Sequence, residues 1–278
     1  MRKMLNLGCG SRFHPDFINI DLYAPTKEIM ACDAKRPLEF NDNTFDVVYH
    51  SHLLEHFNRQ DGLRLLRECY RVCKPGGVIR VVVPDLENIA LLYLKYLEHV
   101  SLGERGMGYC YDWMLLELFD QFVRTRSGGD MSDFICSAPD EIWSFLESRT
   151  GLSLNSIENI KESRFTRLFR LCTSKSNLGK KLKYHIKRNI SRTLLILLWG
   201  NRGGEISDEV IFRLQGENHK WMYDRFSLVR ALEGAGFFKI AVCSENESRI
   251  EGWNRYCLDT EPDGSSYKPN SLYCEAEK

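Results

Sequence analysis

Short apolar runs separated by polar, glycine- and proline-bearing stretches dominate residues 1–84. Lys3 to Leu7, Phe17 to Ile20, Phe45 to Tyr49 and Val78 to Val83 read as strands, and Glu28 to Cys32 as a short further one. A parallel strand covered on both faces shows such a continuous run rather than strict alternation. Between them, Arg59 to Cys73 repeats Leu63, Leu66, Tyr70 and Cys73 at helical spacing, and Lys74-Pro75-Gly76-Gly77 stops it. From 85 to 220 the alternation fails. Helical patterns take over at Leu86 to Val100, Asp112 to Arg124 and Asp140 to Arg149. So long a stretch is no structureless loop, and it reads as a helical insertion. Sheet logic returns with Asp224 capping a helix that runs to Gly234, then strands at Phe237 to Cys243 and Ser271 to Glu275. The expected domains are 1–84 with 221–278, and an insertion or cap over 85–220.

The first connection is odd. Gly8 to Asp16 is too short for a crossover helix, because a parallel connection normally takes about a dozen residues or more. Gly8 and Gly10 close the first run, and Asp21 closes the second. Glycines allow a tight turn and a close ligand approach to bare main chain. An acid after the next strand can take both hydroxyls of a ribose. A nicotinamide reading fails here: it needs Gly-x-Gly-x-x-Gly and an acid about 20 residues on, whereas position 13 is Phe and Asp21 comes too soon.

Composition narrows the picture little. Charges balance to zero overall, so no bulk attraction to nucleic acid or membrane follows. The balance hides one basic tract, Lys161 to Arg192, where only Glu162 opposes eleven lysines and arginines. It reads as a solvated helical face, an RNA contact, or a peripheral contact with anionic membrane through 161–199 with Leu194 to Trp199 at the interface. No nucleic-acid module accompanies it, so no nucleic-acid partner is expected. Ten cysteines lack metal-ligand spacing, which implies reduced, buried thiols and no metal. No run approaches the ~20 apolar residues of a membrane span, and the first strand leaves no room for a signal peptide. The expected location is cytoplasmic, membrane-peripheral if the tract binds lipid.

Leu5-Asn6-Leu7-Gly8-Cys9-Gly10, Asp21, Asp33, Phe45-Asp46-Val47-Val48 through Leu54-Glu55-His56, and Arg71-Val72-Cys73-Lys74-Pro75-Gly76-Gly77 together resemble the class I S-adenosylmethionine-dependent methyltransferases. The likeness is to the small-molecule group with LEH and KPGG segments. It implies an α/β fold: a Rossmann-like, mostly parallel seven-stranded sheet with a reversed last strand. It implies S-adenosyl-L-methionine at the carboxyl edge, held by Gly8, Cys9, Gly10, Asp21, Leu22, Asp33, Ala34, His50 and Ser51. Asp21 would hold the ribose diol, Asp33 would sit near the adenine amine, and His50 and Ser51 would line the methionine end. Two departures stand out: Arg12 replaces the family's third glycine, and the first helix is shortened. Arg12 or backbone amides would then hold the cofactor's carboxylate.

Methyl transfer needs alignment and dryness, and needs a base only for a poor nucleophile. His219, where the insertion returns to the sheet, is one candidate base; its alternative is a structural histidine. His56 is the second, with bracing of the next helix as its alternative. Tyr223 and Arg255 are candidate acceptor contacts, and Trp253, Asp259 and Lys268 share the late connection with Arg255. Core packing is the alternative for Tyr223, and a solvated loop for the others. The expected function is methyl transfer to a small polar acceptor, with a sugar or glycan hydroxyl as the best choice. The rival is a catalytically silent methyltransferase-like scaffold.

Overall fold

The computed structural model describes residues 2–152, 192–214 and 216–278. Seven strands form one sheet in the order β3-β2-β1-β4-β5-β7-β6. They are β1 (Met4–Leu7), β2 (Phe17–Asp21), β3 (Ile29–Ala31), β4 (Phe45–Ser51), β5 (Cys73–Pro84), β6 (Phe238–Cys243) and β7 (Ser271–Glu277). The first five pair in parallel, and β7 runs antiparallel between β5 and β6. This is the mostly parallel sheet with a reversed last strand that the family resemblance implies. Strand order reverses at the β1–β4 boundary, where ligands bind outside the carboxyl ends of open α/β sheets.

One face of the sheet packs on helices. Leu5, Leu7, Val48, Ile79, Val81 and Val83 meet Leu65, Leu66, Cys69 and Val72 of α1 (Arg59–Val72). Leu228, Leu232 and Ala235 from a later helix, Arg225–Ala235, complete this core. The apolar stripe of α1 is therefore centred on 65, 66, 69 and 72, with Leu63 and Tyr70 at its margin. Asn58 caps α1 by accepting from the Asp61 amide at 2.9 Å. Asp224 caps the later helix through a reciprocal capping box with Ser227. The Lys74-Pro75-Gly76-Gly77 segment lies inside β5. A register shift opposite Phe45 and Val47, with Gly76 at φ 75°, absorbs it as a bulge.

The other face is covered by the connection between β6 and β7. Met4, Phe17, Val47, Tyr49 and Val82 meet Ile250, Trp253, Tyr256, Leu258 and Tyr273. Arg80, fully buried on β5, points into this layer. It pairs with Asp259 at 2.6 Å and with Glu275 at 2.8 Å. It also donates to the carbonyls of Ser244 and Glu247, at 2.9 and 2.8 Å. Tyr49 and Trp253 both donate to Asp259, at 2.6 and 3.0 Å.

Contacts divide the chain into two compact units: Met1–Met107 with Arg149–Gly151 and His219–Lys278, and Gly108–Ser148 with Leu152–Asn218. The first unit keeps α2 (Leu86–Ser101), which the sequence places in the insertion. Asp85 caps α2 at the end of β5, and the Leu86 amide donates to the Tyr223 carbonyl at 3.0 Å. The described helices beyond it are α3 (Met107–Val123), α4 (Gly129–Ser137), α5 (Trp143–Thr150), α6 (Asn201–Leu214) and the capped α7 (Arg225–Ala235), with a further helical stretch over 192–199. The sequence pattern does not announce α4: Gly128 caps it and Gly129 opens it, and both glycines take positive φ. Of the basic tract, 161–191 falls outside the described residues. Leu194, Leu197, Leu198 and Trp199 are exposed. Among the described residues, no helix is long and apolar enough to cross a membrane.

Replacing Arg80 by Met strands two buried carboxylates. Urea denaturation of Arg80→Met is expected to show a loss of ~3–5 kcal/mol. A loss below ~1 kcal/mol would mean that Asp259 and Glu275 find other partners.

Candidate active site

The β1–β2 connection contains no helix. Two buried asparagines, paired in register on β1 and β2, hold it instead. Asn6 donates to Asn19 Oδ1 at 3.1 Å and to the Arg12 carbonyl at 3.0 Å. Asn19 donates to the carbonyls of His14 and Phe17, at 2.9 and 3.0 Å. The chain thus crosses over on side-chain hydrogen bonds where a helix would have used its own backbone.

Gly8 and Gly10 both take positive φ, 68° and 53°. A Cβ on Gly8 would also lie 2.8 Å from a Leu53 methyl, so this turn and the segment after β4 meet closely. Gly10 faces open space, and only its backbone conformation demands glycine. The Asp21 carboxylate accepts the Gly10 amide at 2.9 Å and the Tyr23 amide at 3.0 Å. Two amides leave about half of its lone pairs for a ligand. Leu22 beside it is half exposed, an apolar surface at the strand end.

The other predicted cofactor contacts differ in kind. Cys9 is buried; burial and the charge of Asp21 raise its thiol to about 11, so it is a neutral plug. Asp33 accepts the Lys35 amide at 3.0 Å, and Arg36 stands 3.8 Å away. Ala34 packs against the core and lines a shallow cavity of about 250 Å³ with Lys35, Arg64 and Glu68. Ser51 is half-buried. His50 corrects the sequence reading: it is fully enclosed, neither ring nitrogen has a hydrogen-bond partner, and burial pushes its pKa down to about 4. It offers no surface to a ligand. Arg12 is also committed elsewhere. It donates to the Thr260 carbonyl at 2.7 Å, pairs with Glu261 at 3.1 Å and stacks 4.0 Å over Tyr267.

A second cluster forms just past β4. Leu54–His56 is a single helical turn, and its Glu55 carbonyl accepts the amides of Lys220 and Trp221 at 2.7 and 3.2 Å. That main-chain tie sets His219 against His56, ring centroids 5.0 Å apart and nearly perpendicular. The two candidate bases, 163 positions apart in sequence, are therefore neighbours. The Glu55 carboxylate between them has no solvent exposure. Burial pushes its pKa up, but the bond from His52 and the imidazoles of His52, His219 and His56 outweigh that and hold it ionised. His52 Nδ1 lies 3.3 Å from Glu55, and Nε2 shares a hydrogen bond with Ser271 at 2.9 Å. His52 takes φ 50°, a strained conformation for a non-glycine residue, to make both contacts. Burial lowers the pKa of Lys268, with Glu55 among the charges opposing that shift.

The candidate acceptor contacts fare less well. Tyr223 is a core residue; burial and Glu55 push its hydroxyl up to about 12. Arg255 stacks 4.7 Å over Tyr256 and lines a hollow with Arg2, Met4 and Asp16. Met4 starts β1 and Asp16 precedes β2, so Arg255 sits at the amino edge of the sheet, opposite the glycine turn. Trp253 and Asp259 belong to the buried Arg80 cluster. The sequence analysis gives Glu55 and His52 no role, although Glu55 is the middle residue of the LEH segment and His52 lies two residues before it.

Residues 5–81 match the methyltransferase domain family. Over 67 residues the chain is 40% identical to the ubiquinone/menaquinone biosynthesis C-methyltransferase UbiE of Desulfotalea psychrophila, covering 23% of this chain and 26% of that protein. The chain thus spans about a quarter of that relative's length. Solved structures similar to it include a SAM-dependent methyltransferase from Archaeoglobus fulgidus, at 14% identity and TM-score 0.39 over all of this chain and 86% of that one. Another is a SAM-dependent methyltransferase, possible histamine N-methyltransferase, from Thermotoga maritima, at 11% identity and TM-score 0.36 over all of this chain and 83% of that one. The matched segment runs from β1 to β5 and contains the glycine turn, Asp21 and Glu55-His56.

His50 gives this site a pH signature. Its unfolded imidazole takes up a proton near pH 6.5, its folded one only near about 4. Between those values the unfolded state carries the extra proton, so stability falls as pH falls, by at most ~1.4 kcal/mol per pH unit. Denaturation measured from pH 7 to 4 is expected to show that slope, flattened by up to one proton in His50→Leu. An unchanged slope would place the titration on other groups, such as His52.

Proposed function

We propose that this chain is an S-adenosylmethionine-dependent methyltransferase acting on a small polar acceptor. The observation that carries the reading is Asp21 at the end of β2, one strand from the reversal, its carboxylate locked onto the Gly10 amide of the turn that ends β1, with lone pairs to spare. A carboxylate so placed suits a ribose diol, and the bare main chain of Gly8 to Gly10 suits the amino-acid end of the same ligand. Leu22 offers an apolar contact beside the ribose site, and Asp33 and Ala34 follow β3 on the adenine side. The match of residues 5–81 supports the same assignment. When bound, the cofactor supplies an electrophilic methyl on a sulfonium. The chain's own work is to align the acceptor, exclude water and take up its proton.

His219 and His56 are proposed for the proton. Each stands beside the ionised Glu55, and an imidazole beside a carboxylate can accept a proton from an acceptor. This machinery suits an acceptor that must lose a proton. A sugar or glycan hydroxyl is such an acceptor, and we take O-methylation as the reaction. The UbiE relative is a C-methyltransferase; an activated carbon sheds a proton too, so the same cluster would serve it.

Calorimetric titration of the purified chain with S-adenosylmethionine is expected to show one site, weakened about tenfold or more in Asp21→Ala, which removes a charge-assisted pair of hydrogen bonds. No binding by the wild type would favour a silent scaffold. Once an acceptor is found, His219→Ala is expected to cut turnover by about 10²–10⁴-fold with cofactor binding retained. Unchanged turnover would remove His219 from the proton step.

A further inference from the structure

The Glu55, His56 and His219 side chains do more than sit near one another. One ligand atom from each lies within 4.8 Å of the other two. Around a tetrahedral ion with bonds of 2.0–2.1 Å, ligand atoms stand roughly 3.3 Å apart. Side-chain torsions alone can close that difference. The backbone need not move, because the Glu55 carbonyl already ties the two segments through Lys220 and Trp221. Both Glu55 carboxylate oxygens are shielded from solvent and neither accepts a well-formed hydrogen bond, so a buried anion stands in the cluster short of donors. His52 Nδ1 stands 3.3 Å from Oε1, where an outer partner of a carboxylate ligand would stand.

We infer that Glu55, His56 and His219 form a site for one divalent transition-metal ion, Zn²⁺ by preference. Two imidazoles and one carboxylate match borderline ions such as Zn²⁺, Co²⁺ and Fe²⁺ rather than Mg²⁺ or Ca²⁺, which favour all-oxygen shells. Three protein ligands leave a coordination position open, the mark of a catalytic rather than a structural site. His56 is half-buried while Glu55 and His219 are buried, so the open position lies on the accessible side of the cluster. Ligation and service as a base are exclusive at any one nitrogen. A bound ion would instead polarise an acceptor oxygen and lower its pKa. Cysteine spacing carries no hint of this site, since it uses none.

The inference does not need methyl transfer, and its test requires neither cofactor nor acceptor. The full chain, stripped with a chelator and dialysed, is titrated with Zn²⁺ by calorimetry and with Co²⁺ by visible absorption. One equivalent is expected, with Co²⁺ bands of low coordination number. His219→Ala and Glu55→Gln should weaken binding by about 100-fold or more, beyond the loss typical of an outer partner. His99→Ala, which removes another histidine paired with a glutamate, should bind as the wild type does. Should Glu55→Gln fail to fold, His56→Ala keeps the test open, because that side chain is partly exposed. No uptake by the wild type, or equal uptake by His219→Ala or His56→Ala, would overturn the site. Loss of cofactor binding with Zn²⁺ uptake intact would count against the methyltransferase reading alone.

Discussion

One buried cation organises the sheet face that the β6–β7 connection covers. Arg80 has no exposure, yet it satisfies two carboxylates and the carbonyls of Ser244 and Glu247. Such a cluster is weak evidence for net stability, because desolvation offsets most of the attraction. What it imposes is geometry: every partner must be in place or a charge is stranded. Residues 244–260 have little regular structure, and the Arg80 network tells them where to lie.

The consequence reaches the glycine turn. Asp259, held by Arg80, precedes Thr260 and Glu261, which grip the Arg12 guanidinium. Arg12 in turn belongs to the helix-free loop that Asn6 and Asn19 brace from the other side. The loop is therefore clamped at both ends by side chains instead of being propped by a crossover helix. That explains how so short a connection keeps Gly8 and Gly10 in left-handed conformations beside Asp21. It also explains Arg12, which is a strut and not an anion-binding group.

The parallel strands were legible because burial on both faces writes itself as unbroken apolar runs, and Phe45–Ser51 is the plainest case. The α7 cap was legible because Asp224 precedes the helix with Ser227 at the capping position. Other features were hidden by distance. Arg80 looks like an ordinary charge within an apolar strand until Asp259, 179 positions away, is placed beside it. Trp253 and Asp259 have the composition of a sugar-binding loop, and nothing local distinguishes that from a cover over a sheet. Arg255 follows the same logic: the chain does not announce which edge of the sheet a long connection will reach. His50 misled for a different reason. β4 is buried on both faces, so His50 is enclosed whichever way it points, whereas the family resemblance puts the residues ending this strand at the methionine end of the cofactor.

The histidine cluster shows how a local signal and a distant one combine. Glu55 and His56 stand in a segment whose place after β4 could be read directly. His219 could be placed only as the point of return from a long insertion. What joins them is a pair of ordinary backbone hydrogen bonds to one carbonyl, which no side-chain pattern encodes. Once they are joined, electrostatics does the rest. A carboxylate cut off from water is tolerable only if cationic or donor groups surround it. Here those groups are imidazoles, which can give up a proton or exchange it for a metal ion. A buried aliphatic core would have closed this gap at lower desolvation cost. An anion kept among imidazoles at the carboxyl edge of the sheet, one step from the glycine turn, is a site poised for proton or cation chemistry.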